Sequence, residues 1–509
     1  MYPWKTRTIV LVLFLILLSA CGADAPAETP PTESPPTLAP AEQTNPPIED
    51  PLPTLDLSAP TAAVQIPDLH TAPEASIPDA PLSSRGPWLT IVAGDGIWAA
   101  NPDGSGLTHL LDVELDSWFA ESAVISPRGG LVAFLNGTDR YFDLSLTVYS
   151  IPERRVLRTI PLTTEETEPV RDVVLNDDME PVRAISDFGS YAFSPDGSML
   201  GFMGVIEGDS SDLYVYNIEA DTITQLTDGP SQGFEVHWSP DSEYIFHFGA
   251  EGFGTGAGYV MDGAWAARAD EGGILSPYVP PEQGAEEFVG WLNERTILVN
   301  SWNMHCGSVN LRSINIQTGD VRILWAGAFS DIRFDEESGT LAIAVGDDYE
   351  GCNPTGRLGV FIIPLDDSPP RQMLEGEIRY FVLNEMSSDL VAIDEDGQPI
   401  QILPDGRLVH LNAPPQDFGY TRPQISPDGQ WIAWPSDQFR VGGREPGGAA
   451  VPEVVLAERT SSAVWSPDSS AVFFFTSNGL HIAYAPDFIP LQALESGVLN
   501  YASVFWLQP

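Results

Sequence analysis

One short phrase recurs along this chain and restricts its fold more than any other feature. It reads Ser126-Pro127-Arg128-Gly129, Ser194-Pro195-Asp196-Gly197, Ser239-Pro240-Asp241-Ser242, Ser426-Pro427-Asp428-Gly429 and Ser466-Pro467-Asp468-Ser469. Ile125, Phe193, Trp238, Ile425 and Trp465 precede the five copies, and an apolar run such as Leu200-Gly201-Phe202 or Val472-Phe473-Phe474 follows each. Proline presets φ at the second position of a turn, the Ser and Asp side chains bond nearby amides, and glycine accepts a positive φ. Each copy is therefore expected to be a tight hairpin between two buried strands. Ser242 and Ser469 stand where glycine is expected, so there the turn either closes differently or tolerates strain.

Weaker copies fill the gap between the third and fourth clear ones. Trp291-Leu292-Asn293-Glu294 leads into Ile297-Leu298-Val299, Phe334-Asp335-Glu336-Glu337 into Leu341-Ala342-Ile343, and Leu383-Asn384-Glu385 into Leu390-Val391-Ala392. Successive spacings run between about 40 and 55 residues, apart from a longer first interval of 68. Four strands at about 40–45 residues is the period of a β-propeller blade. The predicted fold is all-β: a single propeller of seven to nine four-stranded blades over 88–509. The final run, 501–507, reads as a first strand that joins the strands after Trp88 and closes the ring. Eight internal copies plus that shared blade make nine; with one copy taken as an insertion, eight is the preferred count. No helix longer than ten residues is expected.

The phrase resembles the WD40-like repeat of the TolB family and of prolyl-oligopeptidase-like propellers, and the resemblance covers most of 88–509. Asn101-Pro102-Asp103-Gly104-Ser105-Gly106 resembles that family's third turn. The resemblance implies a propeller and no particular activity. The oligopeptidase relatives carry catalysis on a hydrolase domain after the propeller. Only Gln508 and Pro509 follow the last strand-like run here, so no such domain is expected.

The N-terminus reads differently. Lys5 and Arg7 precede an apolar run over 9–18 that ends in Leu18-Ser19-Ala20-Cys21. This is the layout of a secretory signal, and the run is short for a membrane span. Leu-Ser-Ala-Cys resembles the lipobox of bacterial lipoproteins, which implies diacylglyceryl transfer to the Cys21 thiol, cleavage after Ala20 and acylation of the new amine. Residues 1–20 are then the signal peptide. Two or three acyl chains anchor stably where one is marginal. The expected location is the outer face of the cytoplasmic membrane or the cell envelope.

Between Gly22 and Pro87 lie 16 prolines and one basic residue, Arg85, with no apolar periodicity. Such a stretch favours extended polyproline II and resists helix and sheet. The segment 21–87 reads as the lipidated cysteine followed by a disordered linker. A chain begun near Ser84 is thus expected to melt like the full mature protein.

Charge excludes some functions. The chain carries 72 Asp+Glu against 23 Lys+Arg, a formal net of −49. Such a surface repels phosphate backbones and anionic headgroups, so nucleic acid is not an expected partner and membrane contact is left to the lipid. A monomer is expected.

Neither an H-E-x-x-H helix nor a P-loop occurs, and no catalytic residue or cofactor is assigned. Cys306 and Cys352 each follow the second strand of consecutive blades, and an exported compartment permits a disulfide between them. Free thiols are one alternative. A metal site recruiting His305, Asp347, Asp348 or Glu350 is another, although the spacing matches no standard zinc pattern. His237 and His247 flank a repeat copy and read as structural. The turns 346–351 and 394–397 are acidic but lack the calcium-loop pattern. Three long loops mark where to look for a binding surface: acid-rich 164–186, Gly-rich 249–263 with Phe253 and Tyr259, and basic 440–448. The expected function is non-enzymatic binding of a protein or glycan on the propeller rim. A polysaccharide lyase or hydrolase and a passive envelope spacer are the alternatives.

Overall fold

The computed structural model describes residues 76–509 apart from 168–179, 254–258, 271–273, 279–284, 304, 336–338, 347–351, 354–355, 367, 385–388, 395–398, 404–406, 411–423, 435–438, 444–453, 458–461, 496–501 and 509. Cys21, the signal segment and most of the linker lie outside the described residues, as do Asp347, Asp348 and Glu350.

The described strands form nine four-stranded antiparallel sheets. Eight are contiguous in sequence and are called blades 2 to 9: 124–161, 191–225, 232–278, 285–328, 331–375, 378–410, 424–457 and 462–495. Blade 1 is composite. Trp88–Ala93, Gly96–Ala100 and Thr108–Asp112 are its second to fourth strands, and Ser503–Leu507 pairs with Trp88–Ala93 as its first. The two ends of the chain therefore close one sheet, as the sequence suggested. The sheet count lies at the top of the seven-to-nine range because no copy is an insertion: the weak copies at Trp291, Phe334 and Leu383 each open a full four-stranded blade.

All eight internal copies form the hairpin between the first and second strands. In four of the five clear ones the serine hydroxyl donates to the Asp two residues on: Ser194 to Asp196 (2.7 Å), Ser239 to Asp241 (2.6 Å), Ser426 to Asp428 (2.6 Å) and Ser466 to Asp468 (2.7 Å). The same oxygen accepts the amide that opens the second strand, from Met199, Tyr244, Trp431 and Ala471 at 2.9–3.0 Å. The first copy has Arg128 in place of Asp, and there the Ser126 hydroxyl turns to the Arg128 carbonyl. All five serines are fully buried, so their hydroxyls must be satisfied from within the turn.

The serine-for-glycine copies are resolved. Ser242 and Ser469 sit at φ of 61° and 62°, the left-handed region glycine occupies in Gly197 (74°) and Gly429 (70°). The turn closes the same way and the strain is offset by a new bond. The Ser242 oxygen accepts the Asp196 amide of the preceding blade at 3.2 Å, and the Ser469 oxygen accepts that of Asp428 at 3.0 Å. Two of the aromatic residues before the phrase also couple blades. Trp238 and Trp465 donate their indole N–H groups to the carbonyls of Ala192 and Gln424 in the blade before, at 2.9 and 3.0 Å.

Between blades the core is apolar. Phe234, Phe246 and Phe248 of blade 4 meet Trp291, Ile297 and Val299 of blade 5, and Val391 and Ile393 of blade 7 meet Ile432 and Trp434 of blade 8. Each such buried side chain contributes about 1.5–3 kcal/mol.

Packing also reaches back into the linker, to Ile77, ten residues before the boundary expected at 87. Leu82 is buried with Trp88, Phe134 and Leu507. The buried Asn101 side chain accepts the Ser83 amide (2.8 Å) and donates to the Pro81 carbonyl (3.0 Å). A Cβ on Gly106 (φ 65°) would lie 2.4 Å from the Leu82 nitrogen, so only glycine lets this strap lie flat. The segment Asn101–Gly106 is the turn between the third and fourth strands of blade 1, in the place its resemblance implied.

Candidate binding face

Antiparallel order sends the phrase turns to one end of every blade. The hairpins between second and third strands, and the connections from one blade to the next, lie at the other end. That second end, the rim, carries the elements that do not repeat. Helix α1 (Ser117–Ser122) precedes blade 2 and is capped by Asp116, whose side chain accepts the Trp118 amide. Helix α2 (Glu180–Ser186) precedes blade 3 and accounts for the longer first interval.

Arg140 and Tyr141, on the hairpin of blade 2, lace these helices together. The Arg140 guanidinium lies 3.7 Å from the Trp118 ring centre and 2.9 Å from Asp187. The Tyr141 hydroxyl donates to Asp187 at 3.0 Å, and Arg183 of α2 donates to the same carboxylate at 3.3 Å. Burial, reinforced by the Asp187 charge, pushes the Tyr141 pKa up to about 12. The Trp118 indole N–H donates to the Ser186 carbonyl at 2.8 Å, yet the ring stays 36% exposed.

Next to α2, Phe188 packs against Phe234 (4.7 Å between centres), Phe253 (5.6 Å) and Tyr259 (5.6 Å). The stretch 249–263, expected to be a loop, is mostly strand: Phe253 ends Tyr244–Phe253 and Tyr259 opens Tyr259–Arg268, and Val260 beside them is 60% exposed. Below lies a polar group built on the first strands of blades 4 and 5. The register slips between Phe234 and His237, and Glu235 adopts a left-handed φ of 59° within that bulge. A bulge re-aims the side chains around it. Glu235 meets the His237 imidazole at 2.8 Å, and that ring stacks on Phe288 of blade 5 at 3.9 Å.

Glu286 and Glu287 follow on blade 5. Glu286 is buried against Arg312 and accepts the Ser301 hydroxyl at 3.2 Å. Burial holds its carboxyl above the usual range despite the Arg312 charge. Glu287 accepts the Asn300 amide at 2.9 Å, and burial together with the Glu235 charge raises its pKa. Burial also raises Tyr259, helped by the charges of Glu235, Glu287 and Glu286. The rim thus offers half-exposed aromatic surface beside carboxylates, two of which, Glu286 and Glu287, hold a proton more readily than usual.

Cys306 and Cys352 form a disulfide with Cα atoms 5.6 Å apart, joining the rim hairpins of blades 5 and 6. His247 is buried and stacks on Trp265 at 5.8 Å between ring centres. Burial lowers its pKa to about 4. The phrase residues lie at the opposite end and take no part in the rim. The acidic turns and the basic loop fall largely outside the described residues.

Sequence reading missed the Trp118, Arg140 and Asp187 cluster and the bulge at Glu235. Arg140-Tyr141 was a usable signal, a scarce cation next to an aromatic residue in a turn. A bulge leaves no such mark. Gly229-Pro230-Ser231-Gln232-Gly233 spells the G-x-S-x-G string of hydrolase nucleophiles. That motif requires a strand, a sharp turn and a helix. Here it runs into a strand, Gln232–Trp238, and the Ser231 hydroxyl bonds the Asp262 carboxylate rather than an imidazole.

No family model matches the chain, and no curated protein matches it. Among solved structures, a eukaryotic initiation factor is similar over 84% of this chain and 100% of its own, at 14% identity and a TM-score of 0.53. A dipeptidyl peptidase 4 of Porphyromonas gingivalis is 11% identical over 75% of this chain and 61% of its own, with a TM-score of 0.47. An oligogalacturonate lyase in complex with manganese is 14% identical over 71% of this chain and 98% of its own, with a TM-score of 0.36. At these identities the likeness speaks to the propeller fold alone.

Proposed function

We propose that the chain is an exported lipoprotein, anchored through acylated Cys21, whose propeller binds a protein or glycan on its rim. The observation that carries the binding reading is the segregation of irregularity. Repeated, fully satisfied turns occupy one end of the blades, while both helices, the long hairpin of blade 4, the disulfide and the exposed Trp118 and Val260 gather at the other. Loops on a rigid scaffold are where binding residues concentrate. The strap 77–83 runs along the turn end, so the described N-terminal residues leave the rim uncovered.

Two measurements test the two halves of the reading. In a bacterium fed radiolabelled palmitate, the wild type incorporates label and Cys21→Ala does not; equal labelling rejects the anchor. On glycan and peptide arrays, the body 76–509 retains specific ligands that Trp118→Ala loses and Ser466→Ala keeps. Parallel loss in both variants rejects the rim as the binding face.

A further inference from the structure

The joint between blades 5 and 6 holds more than a disulfide. A ring nitrogen of His305 and the two sulfurs of Cys306 and Cys352 all lie within 4.8 Å of one another. A disulfide has no need of an imidazole. Two thiolate sulfurs and an imidazole nitrogen are instead the donor set of a borderline or soft cation such as Zn²⁺. Among the described residues no other three His, Cys, Asp or Glu side chains converge in this way.

We propose that the reduced pair, together with His305, is a three-ligand site for Zn²⁺ or a chemically similar cation, so that this joint has two interchangeable forms, one disulfide-bonded and one metal-bridged. Tetrahedral ligation with Zn–S of about 2.3 Å places two sulfurs about 3.7 Å apart. Side-chain rotation can open the bonded pair to that distance while the Cα atoms stay near their present 5.6 Å separation. The backbone is held independently of the sulfurs, because the Ala328 amide donates to the Cys352 carbonyl at 2.8 Å. Cys352 is buried, Cys306 half-buried and His305 exposed, which leaves a fourth position for water and an entry path for the ion. The net charge of −49 raises the local concentration of cations.

The conversion balances with a dithiol as reductant. Its thiolate attacks one sulfur, the S–S bond breaks, and two electrons pass to Cys306 and Cys352 while the dithiol closes to its own disulfide. Binding of the cation then releases the two thiol protons to solvent.

The test uses the mature protein reduced with a phosphine and kept free of oxygen, with Co²⁺ as the probe. One Co²⁺ per chain binds with thiolate-to-cobalt charge-transfer absorption, and excess Zn²⁺ bleaches it; the unreduced protein gives no such absorption. His305→Ala keeps both cysteines and removes only an exposed side chain, and it weakens binding about tenfold or more. The proposal falls if the reduced protein gives no stoichiometric absorption, or if His305→Ala binds Co²⁺ as tightly as the wild type. Circular dichroism follows the same samples, and a reduced chain that has unfolded also overturns the proposal, because the site needs both hairpins in place.

Discussion

The two ends of the blades follow opposite rules. At the turn end the same four residues are used again and again, every phrase serine is buried, and side chains of one blade bond the backbone of the blade before. At the rim the described residues show no such repeated phrase: two short helices, the Arg140–Asp187 cluster and the bulge at Glu235 each occur once, and aromatic and charged side chains such as Trp118 and Arg140 stay partly exposed. The difference teaches where stability and recognition are placed. Local consistency, repeated, specifies the ring. The end freed from that repetition is left to vary.

The strap gives the sharpest way to break this comparison, because it belongs to the turn end although the sequence assigned it to the linker. Proline-rich composition correctly signalled the absence of helix and sheet, but an irregular segment can still pack. Removing Leu82 costs about 2 kcal/mol of burial, and losing the two Asn101 bonds adds about 1 kcal/mol each. A chain starting at Ser84 is therefore expected to melt about 4 °C below one starting at Ser76, given an unfolding entropy on the order of 1 kcal/mol/K for a domain of this size. Coincident calorimetric transitions would remove the strap from the folded body.

His247 bears on the buried middle of blade 4, between the two ends. Its folded pKa of about 4 lies below the ordinary value of 6.5, so the unfolded chain binds its proton first as pH falls. Stability from this group is complete above about pH 6.5 and declines between 6.5 and 4, by at most about 3 kcal/mol. Replacement by Gln should flatten that part of a denaturation profile. A second loss follows below about pH 4. Although partial burial works against it, the serine hydroxyls and following amides hold the carboxyls of Asp196, Asp241 and Asp468 below their usual range, so their contribution disappears as they protonate. Urea midpoints measured from pH 7 to 3 in the wild type and His247→Gln separate the two windows. An unchanged slope in the variant between 6.5 and 4 would contradict the assignment.

A paired substitution asks whether the ends differ in energy as they do in pattern. Ser466→Ala removes a buried hydroxyl that donates to Asp468 and accepts the Ala471 amide, and should cost about 2 kcal/mol. Trp118→Ala at the rim removes a half-exposed ring, its contact with Arg140 and its indole bond to the Ser186 carbonyl, and should cost about 1 kcal/mol. Denaturant midpoints decide. Equal costs would mean that the rim is as structural as the turns.

How much of this was legible follows the same division. The phrase gave the strand boundaries and even the weak copies, because turn chemistry is local and each residue in it has a mechanical reason. Cys306 and Cys352 could be paired because counting strands also counts which hairpins adjoin. The rim could only be located, through the loops 164–186 and 249–263. Its chemistry depends on contacts between residues such as Tyr141 and Asp187, 46 positions apart, and on a bulge that no composition marks.

Ser242 supplies the smallest effect and the finest test of the turn end, because it sets a backbone cost against a bond between blades. A residue with a Cβ at φ 61° is disfavoured by roughly 1 kcal/mol relative to glycine. The oxygen that residue brings accepts the Asp196 amide of blade 3, a bond of about 1 kcal/mol. Ser242→Gly removes both and should leave stability within about 0.5 kcal/mol of the wild type. Ser242→Ala keeps the backbone cost, loses the bond, and should be destabilised by about 1 kcal/mol. The order of the three proteins in a urea titration is thus serine level with glycine, and alanine below both. Alanine equal to serine would mean that the inter-blade bond contributes nothing. Glycine well above serine would mean that the backbone strain exceeds what the bond returns, and that the repeat tolerates serine at this position without gain.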